Sequence, residues 1–170
     1  RQRHRPRDCA IFYRVNALSR IFENSLRNAG VPYQIVRGLE FYQRKEVKDV
    51  LAYLHLINNP RSDVALKRII NTPPRQIGPR TFERLTRHAR QKGLSLLDAS
   101  RESGLIESLN KRSAAHVAQF VAMYDRLSLL AAAPLEEVIG HVLAQTGYNE
   151  WLESSENPED DERLANVKEL

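Results

Sequence analysis

Cysteine is almost missing from this chain: Cys9 stands alone among 170 residues. A single thiol excludes an internal disulfide and any metal site built on cysteine pairs, and it fits a reducing, cytoplasmic setting. Glycine is scarce as well, at seven residues, and none lies in a GxxxxGK[ST] arrangement. That excludes a phosphate-binding loop, and with it nucleotide hydrolysis by these residues alone. No apolar run approaches the roughly eighteen residues of a membrane span. The opening RQRHRPR lacks the apolar stretch of a signal peptide. His4, His55, His88, His116 and His141 sit at no ligand spacing with one another or with Cys9, so no metal is expected. The serines have no nucleophile elbow around them. The paired acids Glu136-Glu137 and Asp160-Asp161 fall at a helix start or in a linker, where a helix dipole or water accounts for them. Neither a catalytic site nor a membrane partner is expected.

What the chain has is uneven charge. It is 42% hydrophobic, enough to bury a core in one domain or one domain plus a piece of another. The net charge is +5 and the pI about 9.6. Between Arg61 and Lys92 there are nine Lys or Arg against two acids, whereas Glu150 to Leu170 holds eight acids against Arg163 and Lys168. The first segment suits a polyanion and the second does not. The chain opens on Arg, its one methionine is Met123, and it stops inside the helical pattern ERLANVKEL. It reads as a piece of a longer protein.

Apolar spacing orders the rest. Cys9 to Tyr13 reads as a short buried strand, with Cys9 a small core residue, and Tyr33 to Val36 reads as a second strand. Between them Asn16 is placed to cap a helix carrying Ala17, Leu18, Ile21, Phe22, Leu26 and Ala29, stopped at Gly30. Strand, helix and strand make a small α/β unit that needs further strands to complete a sheet. From Val47 onward the pattern is helical: Val47 to Ile57; a short helix capped by Asp63; a helix from Pro79 to Gly93; Ser95 to Arg101; Leu105 to Leu109; a long helix over 113–131; one from Pro134 to Gly147; a turn at Glu150 to Ser155; an acidic linker; and a last helix from about Asp161. The fold class is therefore mainly α after a small α/β piece.

The segment from Arg68 to Arg90, RIINTPPRQIGPRTFERLTRHAR, carries the functional expectation. It spells helix, tight Pro/Gly hairpin, helix. Gly78 permits a sharp turn or close approach of another backbone, and Pro79 suits the first helical position. Free N–H groups and the positive dipole end then face outward beside Arg80 and Thr81, which makes a phosphate seat. The competing reading is an ordinary turn between core helices with a solvated basic face.

Three ordered stretches resemble the UvrD/PcrA/Rep family of superfamily 1 DNA helicases: YRVNALSR from Tyr13; Gly38 through FYQRKEVKDVLAYL from Phe41; and RIINTPPRQIG from Arg68. The resemblance implies a segment of the RecA-like motor domain 2A over 1–46, a helical 2B subdomain with a helix-hairpin-helix-like unit over 47–158, and a return helix over 159–170. It implies single-stranded DNA contacts at Arg14 and Asn16. It implies duplex contacts at Lys48, His55, Ile77, Gly78, Arg80 and Thr81, with Arg75 adding attraction. Lys48 and His55 are two helical turns apart and share a face. His55 stands where the family has Arg, and Gln76 where it has the first glycine of GIG. The resemblance further implies a parent that is an ATP-dependent 3′-to-5′ helicase, a hydrolase of DNA repair or replication using ATP and Mg2+, with no cofactor held by these residues. Expected partners are duplex and single-stranded DNA, the rest of the helicase chain, and repair or replication proteins. A regulatory protein-interaction module with little DNA binding of its own is the alternative.

Overall fold

The computed structural model describes residues 5–14, 18–35 and 40–170. Among them are ten α-helices and no β-strand. The chain divides into two units, Arg1–Glu40 and Phe41–Leu170.

The first unit corrects the α/β expectation. Residues 9–13 and 33–35 are irregular, and Val36 lies outside the described residues. Cys9 is exposed rather than buried, as are Ile11 and Phe12, the latter 93% exposed. A strand needs a neighbour to take its backbone N–H and C=O groups, and the described residues provide none. The intervening helix α1 (Leu18–Asn28) does form, and Gly30 follows in the left-handed conformation at φ 65°. Phe22 stacks on Tyr13 at 5.9 Å between ring centroids.

The second unit is all helix, and its apolar spacing explains it. A short α2 (Glu40–Gln43) leads into α3 (Lys45–Asn58), which buries Val47, Val50, Ala52, Tyr53, Leu56 and Ile57. Ser62, not Asp63, caps α4 (Asp63–Ile69), its Oγ accepting from the Ala65 N–H at 3.4 Å. Asp63 instead accepts from the Leu96 N–H at 2.8 Å. Then come α5 (Pro79–Lys92), α6 (Leu96–Arg101) and α7 (Lys111–Ser128), whose Val117, Phe120, Val121, Met123, Tyr124 and Leu127 fill the centre of the core. The helix expected over 105–109 is a 3-10 turn at Ser103–Leu105 followed by irregular chain. The unit ends with α8 (Leu135–Thr146), α9 (Tyr148–Glu153) and α10 (Pro158–Glu169). α10 starts three residues before the expected Asp161, because Pro158 fits its first turn and Glu159, Asp160 and Asp161 complement its positive end.

Buried carboxylates tie the two ends of this unit together. Glu46 accepts from Asn166 Nδ2 of α10 at 2.6 Å, and Arg44 donates to Asn166 Oδ1. Asp49 accepts from Tyr148 Oη of α9 at 2.8 Å and from Arg68 Nε of α4 at 2.7 Å. Burial pushes the Asp49 carboxyl above the ordinary range, against the pull of Tyr148 and Arg68.

Candidate nucleic-acid interface

The bend between α4 and α5 is built from below. Asn71 Oδ1 accepts from the backbone N–H of Arg75 at 2.7 Å and of Ile77 at 3.1 Å, the local turn chemistry that Asn favours. The Thr72–Pro73 bond is cis. Ile77 is buried and anchors the bend in the core. Arg75 turns inward. Its Nη1 donates to the carbonyls of Ile69 (3.0 Å) and Pro73 (3.1 Å), and its Nη2 to Tyr53 Oη (2.7 Å). The guanidinium lies 5.9 Å from the Tyr53 ring centroid and 5.7 Å from that of Phe120, cation–π distances. Tyr53 Oη in turn donates to the Thr72 carbonyl at 2.5 Å. Burial pushes the Tyr53 hydroxyl up to about 12, with Arg75 pulling the other way.

The left-handed residue of the bend is not the glycine. Gly78 has φ −77° and ψ 174°, open to any residue, whereas Gln76 takes φ 59°. For a side chain that costs on the order of 1–2 kcal/mol. A Cβ on Gly78 would meet nothing within 4 Å, so the protein itself does not require glycine there. What Gly78 leaves is room for something outside the chain to approach.

Above this base the positive end of α5 is open. Pro79 occupies the first turn and no side chain caps the helix, so the N–H groups of Gly78, Arg80 and Thr81 have no intrahelical partner. Arg80 is exposed and Thr81 buried. Arg80, Arg84 and Arg87 recur at i, i+4 and i+7, one face about 10 Å long. Arg87 also donates to Glu83 at 3.0 Å across exposed surface. Thr81, Leu85 and Ala89 face the core, and Gly93 ends the helix at φ 66°.

The residues expected to contact duplex therefore divide. Ile77, Gly78, Arg80 and Thr81 form one bend, with Ile77 and Arg75 inside it. Lys48 is half-buried and His55 exposed on α3, about 140° and 160° round that helix from Tyr53, the residue that meets Arg75. A continuous basic surface through Lys48, Arg75 and Arg80 is not formed. Arg14 is exposed in the first unit, and Asn16 lies outside the described residues. Two residues at the bend escape a reading of the sequence. Asn71 has a local signal, as a turn-forming residue in RIINTPPR. Arg112 has none: its Nη2 reaches Gln76 Oε1 at 2.9 Å across 36 positions. Among the described residues no group of His, Cys, Asp and Glu could hold a metal, and no helix is long and apolar enough to cross a membrane.

The profile of the UvrD-like helicase C-terminal domain matches residues 1–170. The chain is similar to the ATP-dependent DNA helicase UvrD1 of Mycobacterium tuberculosis, with 41% identity over 165 residues, 96% of this chain and 21% of that protein. It is 40% identical to UvrD1 of Mycobacterium leprae over the same span and 21% of that protein. To the ATP-dependent DNA helicase PcrA of Staphylococcus aureus it is 37% identical over 164 residues, 96% of this chain and 22% of the relative. The chain thus spans about a fifth of the length of these proteins.

Proposed function

We propose, from the premise that this chain belongs to the UvrD-like helicase C-terminal domain family, that it is the DNA-gripping region of an ATP-dependent 3′-to-5′ DNA helicase acting in repair or replication in the cytoplasm. In this reading 1–46 is part of the 2A motor domain, 47–158 the 2B subdomain and 159–170 the return to the motor. Ile11, Phe12 and Ile21 are exposed, and in this reading the remainder of the motor covers them. ATP and Mg2+ belong to that remainder, since no phosphate loop occurs in these residues. Duplex DNA lies against the bend. Arg80 makes a charge-assisted bond to a phosphate, and the N–H groups of Gly78 and Thr81 donate to its oxygens. Lys48 and His55 form a second contact from α3, and Arg14 and Asn16 meet single-stranded DNA. Ile77 and Arg75 serve by holding the bend in place.

The observation that carries this reading is the uncapped, exposed start of α5, braced from beneath through Asn71. Its contacts are to backbone, so binding is indifferent to sequence and driven by counterion release. Each cation on a duplex phosphate contributes about −0.9 to the slope of log K against log salt, so Arg80 and Lys48 together cost roughly a twelvefold loss between 50 and 200 mM. Titrating the chain with a DNA hairpin bearing a single-stranded tail at those two salt concentrations tests this. Salt-independent binding, or no binding at 50 mM, contradicts it.

A regulatory protein-contact role has one observation of its own. The corner between α7 and α8 exposes Leu129 (83%) and Leu135 (64%). The outer side of α7 itself carries Ala115, Ala118, Gln119 and Ala122, too small for an apolar docking stripe, so DNA remains the preferred partner.

A further inference from the structure

We propose that Arg112 is an additional phosphate-contacting residue and that Gln76 positions it there, an inference that rests on the duplex-backbone reading above. Gln76 is the one non-glycine residue among those described with φ in the left-handed region. Glycine would adopt that conformation freely. The bend needs no side chain at this position, because its bracing bonds come from Asn71 and Arg75. What the Gln76 side chain does is accept from Arg112 Nη2 at 2.9 Å, a contact between two exposed residues. Both side chains are exposed, so water competes for this bond and two long side chains must be ordered to make it; its net return does not exceed the cost of the left-handed backbone. A strained residue whose own contact does not repay it points to function.

The chemistry of that contact is specific. Arg68, Arg87, Arg101 and Arg163 each pair with a carboxylate. Arg112 has a neutral amide oxygen as its partner and, among the described residues, no carboxylate. Its guanidinium is therefore oriented by Gln76 without an opposing charge, and its remaining donors are available. Gln76 is two residues from Gly78, a span of at most about 7 Å between α-carbons. Through Gln76, Arg112 is held at the same bend that leads into Arg80 and the uncapped start of α5. A second guanidinium at a bend that already offers Arg80 and backbone donors suits a phosphodiester, whose oxygens accept from such planar forks. The ligand is the sugar-phosphate backbone of duplex DNA, read without base specificity.

The test uses the chain with Gln76→Gly, Arg112→Gln, the two combined, and Arg80→Gln, each assayed for thermal stability and for affinity to a tailed DNA hairpin across a salt series. Gln76→Gly is expected to raise Tm by a few degrees while weakening binding three- to tenfold, opposite signs that a purely structural role does not produce. Arg112→Gln is expected to weaken binding to a similar extent and to reduce the salt slope by about one. In the Arg112→Gln background the Gln76→Gly loss should vanish, because the two residues act as a unit. If Arg80→Gln weakens binding while Gln76→Gly and Arg112→Gln leave it unchanged, this inference is overturned and the duplex reading survives. If Gln76→Gly weakens binding equally with and without Arg112, the positioning role is overturned. If Arg80→Gln has no effect, the duplex reading itself fails.

Discussion

The guanidinium of Arg75 has three oxygen acceptors, two aromatic rings and, among the described residues, no carboxylate. Its neighbours are the last carbonyls of α4 and the bend, so it neutralises the negative end of that helix while tying it to Tyr53. Arg75→Ala leaves the Ile69 and Pro73 carbonyls and the Tyr53 hydroxyl short of a donor. The expected cost is about 2–3 kcal/mol, read from urea unfolding at pH 7; a loss below about 0.5 kcal/mol contradicts the bracing role. Gly78→Ala is a contrasting case. At φ −77° with open space around it, alanine should leave stability unchanged or raise it by up to about 1 kcal/mol. A drop in Tm shows that the bend needs glycine for its own sake. Tyr53 adds a pH effect. Its folded pKa of about 12 lies above the ordinary value of 10. Its contribution is therefore complete below pH 10 and is lost as pH rises through 12, up to about 2–3 kcal/mol. In Tyr53→Phe the fall in stability over that window should be shallower by about one proton; an unchanged slope assigns the transition to other groups.

At the scale of elements, α5 does two jobs with one sequence. Thr81, Leu85 and Ala89 hold it to the core, and the arginines at 80, 84 and 87 line its outer side. The far end is fixed by Gly93, left-handed at φ 66° with its N–H bonded to the Ala89 carbonyl. Gly93→Ala should cost about 1 kcal/mol without altering DNA affinity, since the proposed site lies at the opposite end; a matching loss of affinity links the two ends of the helix. Close to that end Lys92 and His88 both reach Glu102, at 2.9 and 2.7 Å. Hydrogen bonds from Lys92 and then His88 hold the Glu102 carboxyl below its ordinary range. This ties α5 to the segment after α6 and consumes the cation of Lys92, which a count of basic residues credits to DNA.

For the unit from Phe41 to Leu170, the determining contacts join residues far apart in sequence. Asp49 is held by Tyr148, 99 positions away, and Glu46 by Asn166, 120 away. Asp49→Ala leaves Tyr148 Oη without its acceptor and Arg68 without its ion partner. Arg68 is 36% exposed and recovers water, so the expected cost is about 2–3 kcal/mol, measured by denaturant unfolding of the whole chain. An effect under about 0.5 kcal/mol means that α9 and α10 are held by apolar packing alone. Each end of the α3 to α10 unit thus depends on the other.

Sequence alone determined the longer helices, though not the one expected over 105–109, which is a 3-10 turn and irregular chain. Val47 to Ile57, Pro79 to Gly93, Val117 to Leu127 and Pro134 to Gly147 follow from apolar spacing and from the residues that start and stop a helix, all of them local properties. It also located the bend at residues 71–80, because Pro and Gly punctuate the chain there. It misjudged the strands at Cys9 to Tyr13 and Tyr33 to Val36: apolar content is local, but a ladder needs a second strand to accept its hydrogen bonds. Only the tertiary structure decided which cations face outward. Arg75 and Arg80 look alike in sequence, yet one fills the space between Tyr53 and Phe120 and the other stands in solvent. Arg112 meets Gln76 only because α7 packs where it does. Charge is written residue by residue, whereas its direction is set by packing among segments distant in the chain, and no local pattern encodes that.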